Sequence, residues 1–196
     1  MKSKFRGHKP FDLTAIAVAR GACTYVAYHR LKNQHEIEYE HVLRLPAIEI
    51  AQAREWAVKF EHKLKDDAEH KKGSFKKNDF IFFNVNQLIA VEMKFIKRHT
   101  TSVNLSGDAH KLTNLIDSDS TSNSYPQRAG YVLLVGDKTA MAKLATPGMT
   151  KGSRRDEAWV AARPLLRNVL SPGEHFATEC RAGTNLDIAA EIHRIR

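Results

Sequence analysis

The chain has 196 residues, 42% of them hydrophobic and 27% charged, and carries a formal net charge of +9 at pH 7. Those proportions fit one folded domain with a core of ordinary size and exclude a disordered chain. The surplus of Lys and Arg suits a polyanionic partner, nucleic acid first and an anionic membrane surface second, though a basic surface also serves plain solubility.

Residues 1–10 are a basic lead. Residues 11–31 mix Ala, Ile, Leu, Val and Tyr without a clean period; the alanines favour a helix, while Thr24-Tyr25-Val26 would suit a strand. Arg20 and Gly21 interrupt the apolar run, which leaves it too short for a signal peptide or a membrane span, so it is read as part of the fold. Cys23 and Cys180 are the two cysteines and match no zinc or redox spacing, so a reducing, cytoplasmic setting is expected.

Residues 36–54 carry Val42, Leu45, Ile48 and Ala51 on one helical face. Pro46 predicts a kink there, or a break with Pro46 in the first turn of a second helix. Trp56, Val58, Phe60, His62 and Leu64 alternate with polar or small neighbours, the period of a half-buried strand. A charged linker, 65–76, separates this strand from the stretch KNDFIFFNVNQLIAVEMKF at 77–95.

That stretch reads as a β-hairpin turning at Asn84-Val85-Asn86-Gln87. A two- or four-residue loop pairs residues whose numbers sum to 171, so Phe83 faces Leu88, Ile81 faces Ala90 and Asp79 faces Glu92. Opposed residues have Cβ atoms ~5 Å apart on one face, and Lys94 points to that face too. A loop one residue longer or shorter would separate the carboxylates. Ile81, Phe83, Leu88 and Ala90 line one face; Phe80, Phe82, Ile89, Val91 and Met93 line the other, the pattern of strands covered on both sides.

Beyond the hairpin, 97–106 is loop-like and Asp108 would cap a helix bearing Leu112, Leu115 and Ile116. Residues 117–128 read as a mobile surface loop. GYVLLV at 130–135 is a short buried strand ended by Gly136-Asp137, followed by a helix over 138–145 that stops at Pro147-Gly148. A basic turn at 151–155 leads to a helix over 156–169 partly broken by Pro164, and the tail forms two strands joined near Gly183.

Two carboxylates meeting at the end of central strands repel each other, and one pKa rises unless a divalent cation lies between them. Mg²⁺ suits such a place, with oxygen ligands at ~2.1 Å and several retained waters, and Mn²⁺ is the alternative ion. Asp79 and Glu92 are the expected metal ligands, and Lys94 would hold an attacking water or stabilise charge on phosphate oxygens. A salt bridge from Lys94 to either acid explains the same residues without a metal. Ten His residues show no HxH, HExxH or Cys/His ligand spacing, and no Walker loop, GxGxxG or Ser/Cys nucleophile motif occurs.

Asp79, then Glu92-x-Lys94 on the next strand, resembles the PD-(D/E)XK nuclease superfamily, with Asn78 where Pro is common. The resemblance spans about 36–137, with 138–196 as a C-terminal extension of one helix and two strands on a single domain. It implies an α/β fold, a central mixed β-sheet flanked by helices with a restriction-endonuclease-like core. It implies a Mg²⁺-dependent endonuclease acting on nucleic acid, DNA ahead of RNA; a catalytically inactive binding or assembly subunit is the alternative. By the same resemblance Glu40, with Glu49 competing, is the expected acid on the preceding helix, and Lys111 the basic group on the following one. Lys97, Arg98, Lys151, Arg154 and Arg155 are candidate phosphate contacts. A homodimer would follow from one site cutting one strand; a subunit of a larger complex, whose basic faces meet a protein or RNA, is a further alternative.

Overall fold

The computed structural model describes residues 10–32, 40–63, 77–100, 103, 105–144, 175–181 and 187–195. Among these residues six strands form one mixed sheet: β1 (Ala57–Lys63), β2 (Lys77–Phe83), β3 (Gln87–Ile96), β4 (Gln127–Asp137), β5 (His175–Arg181) and β6 (Asp187–Arg194), in the order β1-β2-β3-β4-β6-β5. β3 and β4 run parallel and every other neighbouring pair is antiparallel. The parallel pair needs a crossover, supplied by helices α3 (Leu105–Asp117) and α4 (Asp119–Ser124).

The hairpin has the expected register, with Ile81 opposite Ala90 and Phe83 opposite Leu88. Asn84 sets it: its Oδ1 accepts hydrogen bonds from the Asn86 and Gln87 backbone N–H groups at 3.2 and 3.0 Å, and its own N–H donates to the Gln87 carbonyl. The loop residues proper are then Val85 and Asn86. Asparagine bonded to the backbone two and three residues on closes a turn without the left-handed residues that hairpins usually use.

Both faces of the sheet are covered. On one, α1 (Pro10–Leu31) and α2 (Arg44–Gln52) enclose Phe80, Phe82, Ile89, Val91 and Met93 with Leu133, Val135, Ile188 and Ile192. On the other, Leu112 and Leu115 of α3, with Ala140 and Met141 of α5 (Lys138–Leu144), lie over Ile81, Leu88, Ala90, Val132 and Leu134. This is the face division expected from the hairpin sequence. Phe80 and Phe82 are stacked at 6.2 Å and fully buried, and each contributes on the order of 2–3 kcal/mol by leaving water.

α1 is a helix throughout, with Thr24-Tyr25-Val26 inside it. Pro10 is its first residue, where a missing N–H costs nothing. Its sheet-facing ridge is mostly small, Ala15, Ala19, Ala22, Cys23 and Ala27 with Val18 and Val26, which brings its axis close to β4, β5 and β6. Among the described residues no helix is long and apolar enough to cross a membrane.

The helix expected over 36–54 is divided, a 3-10 turn at Glu40–Leu43 leading into α2. Pro46 falls in the first turn of α2, where the backbone N–H groups lack intrahelical partners anyway. Trp56 is buried just ahead of β1, and Val58 and Phe60 follow it inward while Ala57 and Lys59 are exposed.

The loop expected over 117–128 is instead α4 and the start of β4. Ser118 caps α4, its hydroxyl accepting from Thr121 N, so the Ser-rich composition marks a helix start. β4 is longer than expected at both ends and runs on through Gly136, whose φ of 149° is open to glycine. A Cβ there would overlap the Ile96 carbonyl oxygen of β3. Asp137 then caps α5, its Oδ1 accepting from Ala140 N at 2.8 Å. The tail strands pair as expected, and the 65–76 linker, the 151–155 turn, the 156–169 helix and the turn at Gly183 lie outside the described residues.

Candidate active site

The β2–β3 ladder ends, among the described residues, at Phe80–Val91. Asp79 comes next on β2 and Glu92 next on β3. Here the side chain replaces the ladder bond: Asp79 Oδ2 accepts from the Met93 backbone N–H at 2.8 Å. β2 stays paired with β1 down to Lys77, and β3 stays paired with β4 up to Ile96. The site therefore lies where two halves of the sheet part.

Glu92 is completely buried. Its Oε2 accepts from Lys111 Nζ at 2.7 Å, the length of a charge-assisted bond. Its Oε1 is buried with no hydrogen-bond partner among the described residues. Lys111 also lies 3.3 Å from Asp108 Oδ1 on the next-but-two residue of the same helix. Asp108 Oδ2 is 3.2 Å from Lys94 Nζ, an ion-pair distance without hydrogen-bond geometry. Among the described residues, three carboxylates thus share two ammonium groups at one point on the face covered by α3.

The surplus negative charge shows in the acidities. Burial pushes the Glu92 carboxyl up to about 8; the neighbouring Asp79 charge adds to the rise, and the Lys111 bond opposes it. Burial also raises Asp79, against the Met93 amide and the charges of Lys94 and Lys111. Lys111 is raised as well: burial favours its neutral form, but the Glu92 bond and the Glu92 and Asp108 charges outweigh it. Both shifts favour the protonated form, so Glu92 keeps a proton far above the range of an ordinary carboxyl, and the 2.7 Å contact becomes a fully ionised pair only as pH passes about 8.

The structure thus brings together Asp79, Glu92, Lys94 and Lys111. Lys111 enters through its bond to Glu92 and not as a peripheral surface group. Asp108 is a correction: α3 begins at Leu105, so Asp108 lies within its first turn and not at the cap, and its carboxylate turns to the two lysines. The i, i+3 spacing of Asp108 and Lys111 beside the apolar Leu112 was the available signal. Glu49 is exposed on α2, on the opposite side of the sheet from Lys94 and α3. Glu40 opens the 3-10 turn, and its side chain lies outside the described residues.

Lys97 and Arg98 follow β3 in a turn closed by Thr100, whose hydroxyl accepts from Lys97 N at 2.8 Å; Arg98 is exposed and Lys97 half-buried. Lys151, Arg154 and Arg155 lie outside the described residues.

Among the described residues no three His, Cys, Asp or Glu side chains form a ready metal cage. A Mg²⁺ ion does not require one, since it binds through one or two carboxylates and keeps waters or substrate phosphates as its other ligands. The unpartnered Glu92 Oε1 beside Asp79 is a donor of that kind. No family model matches the chain, and no curated protein does.

Proposed function

We propose that the protein is a Mg²⁺-dependent nuclease that hydrolyses phosphodiester bonds in nucleic acid, DNA ahead of RNA, on a restriction-endonuclease-like core. The observation that carries this reading is the buried, unpartnered Glu92 Oε1 next to the Asp79 carboxylate, with lysines on two sides. Such a group is costly in a sheet unless a proton or a cation meets it. Asp79 and Glu92 would hold the metal, which when bound supplies a water of lowered pKa and neutralises phosphate charge. Lys94 would orient that water or stabilise charge developing on the phosphate oxygens. Lys111 would keep Glu92 in place through Oε2. Lys97 and Arg98 follow just past the end of β3 and would meet the neighbouring phosphates; Lys151, Arg154 and Arg155 are further candidates on their sequence alone. Glu40 is the helix acid that the resemblance supplies to this reading.

The test is cleavage of plasmid, linear duplex, single-stranded DNA and RNA with Mg²⁺, Mn²⁺ or EDTA. Asp79→Ala and Lys94→Ala should each abolish metal-dependent cleavage and leave the circular-dichroism spectrum unchanged. Cleavage that persists in both variants refutes the assignment.

A second reading has its own support. Lys111 and Lys94 already compensate much of the acid charge from within the chain, which suits a binding or assembly subunit with no catalysis. Metal-independent nucleic-acid binding that survives Asp79→Ala would favour it.

A further inference from the structure

On the sheet face opposite the acidic site, the chain's two cysteines converge on one residue. Cys180 of β5 stands directly across from Ile188 of β6. Directly opposed residues on antiparallel strands share a face, and the Ile188 side chain belongs to the core under α1. Cys180 packs against that same core. From the other direction, the Cys23 thiol on α1 reaches Ile188, donating to its carbonyl oxygen at 3.5 Å. The next residue of α1, Thr24, places its hydroxyl 3.7 Å from the Cys180 sulfur. Cys23 is fully buried, Cys180 is half-buried, and neither is engaged in a disulfide.

We infer that Cys23 and Cys180 are a peroxide-oxidisable pair that closes into a disulfide joining helix α1 to the edge strand β5. Cys180 is the thiol that solvent reaches, so it is oxidised first. Hydrogen peroxide converts its thiol to a sulfenic acid and is itself reduced to water. The Cys23 sulfur then attacks the Cys180 sulfur, the S–O bond breaks, and the hydroxyl leaves as a second water with the Cys23 proton. Two thiols and one peroxide give one disulfide and two waters. The order of events is supported by the Cys23 thiol itself, which burial and then its contact with Cys180 push well above the ordinary thiol range. A buried neutral thiol reacts slowly with a diffusing oxidant but is well placed to resolve an intermediate formed beside it.

The bond would link segments 157 residues apart in sequence, positions 23 and 180. Cross-links that close long loops restrict the unfolded chain most. The cysteines lie on the α1 face and the Asp79–Glu92 cluster on the α3 face, so the cross-link leaves that cluster untouched.

The experiment treats the full-length reduced protein with hydrogen peroxide and follows intact mass, non-reducing peptide maps and melting temperature. The expected result is a monomer lighter by two hydrogens, a Cys23–Cys180 cross-linked peptide, and a melting temperature higher by on the order of 5–10 °C that dithiothreitol reverses. Cys180→Ser should show none of these changes. Cys23→Ala should stop at a Cys180 sulfenic acid that a dimedone probe captures; if that variant does not fold, Cys180→Ser carries the comparison alone. Both thiols remaining open to alkylation after peroxide, a disulfide-linked dimer in place of the internal bond, or an equal melting shift in Cys180→Ser would each overturn the inference.

Discussion

Glu92→Gln tests the electrostatics of the site without any assumption about catalysis. Burial and the Asp79 charge lift the Glu92 carboxyl from 4.5 to about 8. Between those values the folded protein holds a proton that the unfolded chain has released, so stability must fall as pH rises through this window. At 1.36 kcal/mol per pKa unit, the rise corresponds to roughly 5 kcal/mol of lost stability by pH 8.5, a ceiling to be taken as a few kcal/mol. Gln has the same shape, still offers Lys111 an oxygen acceptor, and leaves Asp108 as the lysine's counter-charge. The measurement is urea unfolding of both proteins in EDTA at pH 5.5, 7.0 and 8.5. Comparing the two proteins at each pH cancels the histidines that titrate in the same range. Near pH 5.5 the two should be about equally stable. By pH 8.5 Glu92→Gln should be the more stable by about 2–5 kcal/mol, or on the order of 10 °C in melting temperature. A difference that does not change with pH, or one that moves against the variant as pH rises, would refute the reasoning.

The other expectations follow from the same geometry. Mg²⁺ at 100 times its Kd should raise the stability of the unaltered protein by about 2.7 kcal/mol at pH 8.5, less at pH 5.5 where a proton occupies Glu92, and should leave Glu92→Gln unmoved; calorimetric melts check all three. Lys111→Met removes one partner of a buried pair and should cost about 3–5 kcal/mol at pH 8.5 but clearly less at pH 5.5, read by denaturant titration. Gly136→Ala puts a Cβ against the Ile96 carbonyl oxygen at a positive φ, so it should cost about 2–4 kcal/mol without altering the pH dependence, read in the same titrations.

The hairpin was legible because its information is local. Alternation along Phe80–Phe83 and Leu88–Met93 fixes which side chains share a face, and one short turn fixes which residues oppose each other. The structure keeps both the register and the face division. The 11–31 segment was harder to read because its buried ridge is built from alanines, whose small side chains give little contrast with the exposed face. In 117–128 the hydroxyl-rich composition that signals a loop is equally the composition of a helix cap, and only the geometry at Ser118 separates the two. Asp108 and Lys111 belong to the site for a reason no local pattern carries: they reach it only because α3 crosses back over β3 and β4.

The placement of the charges is itself informative. Along this face of β2 and β3 the residues before the site are Phe83, Ile81, Leu88 and Ala90, and Val132 and Leu134 of β4 stand directly beside Glu92 and Lys94. A well-packed apolar side chain at position 92 would serve stability as well as a buried ion pair does or better. The change from apolar to charged falls where the β2–β3 ladder ends and Asp79 takes over a backbone bond. There the sheet has given up a pairing and gathered three acids about two lysines, leaving one carboxylate oxygen of Glu92 without a hydrogen-bond partner among the described residues. Stability alone gives no reason for that oxygen to stay bare; a cation or a proton that comes and goes does. The pH dependence of Glu92→Gln, measured with and without Mg²⁺, separates those two occupants.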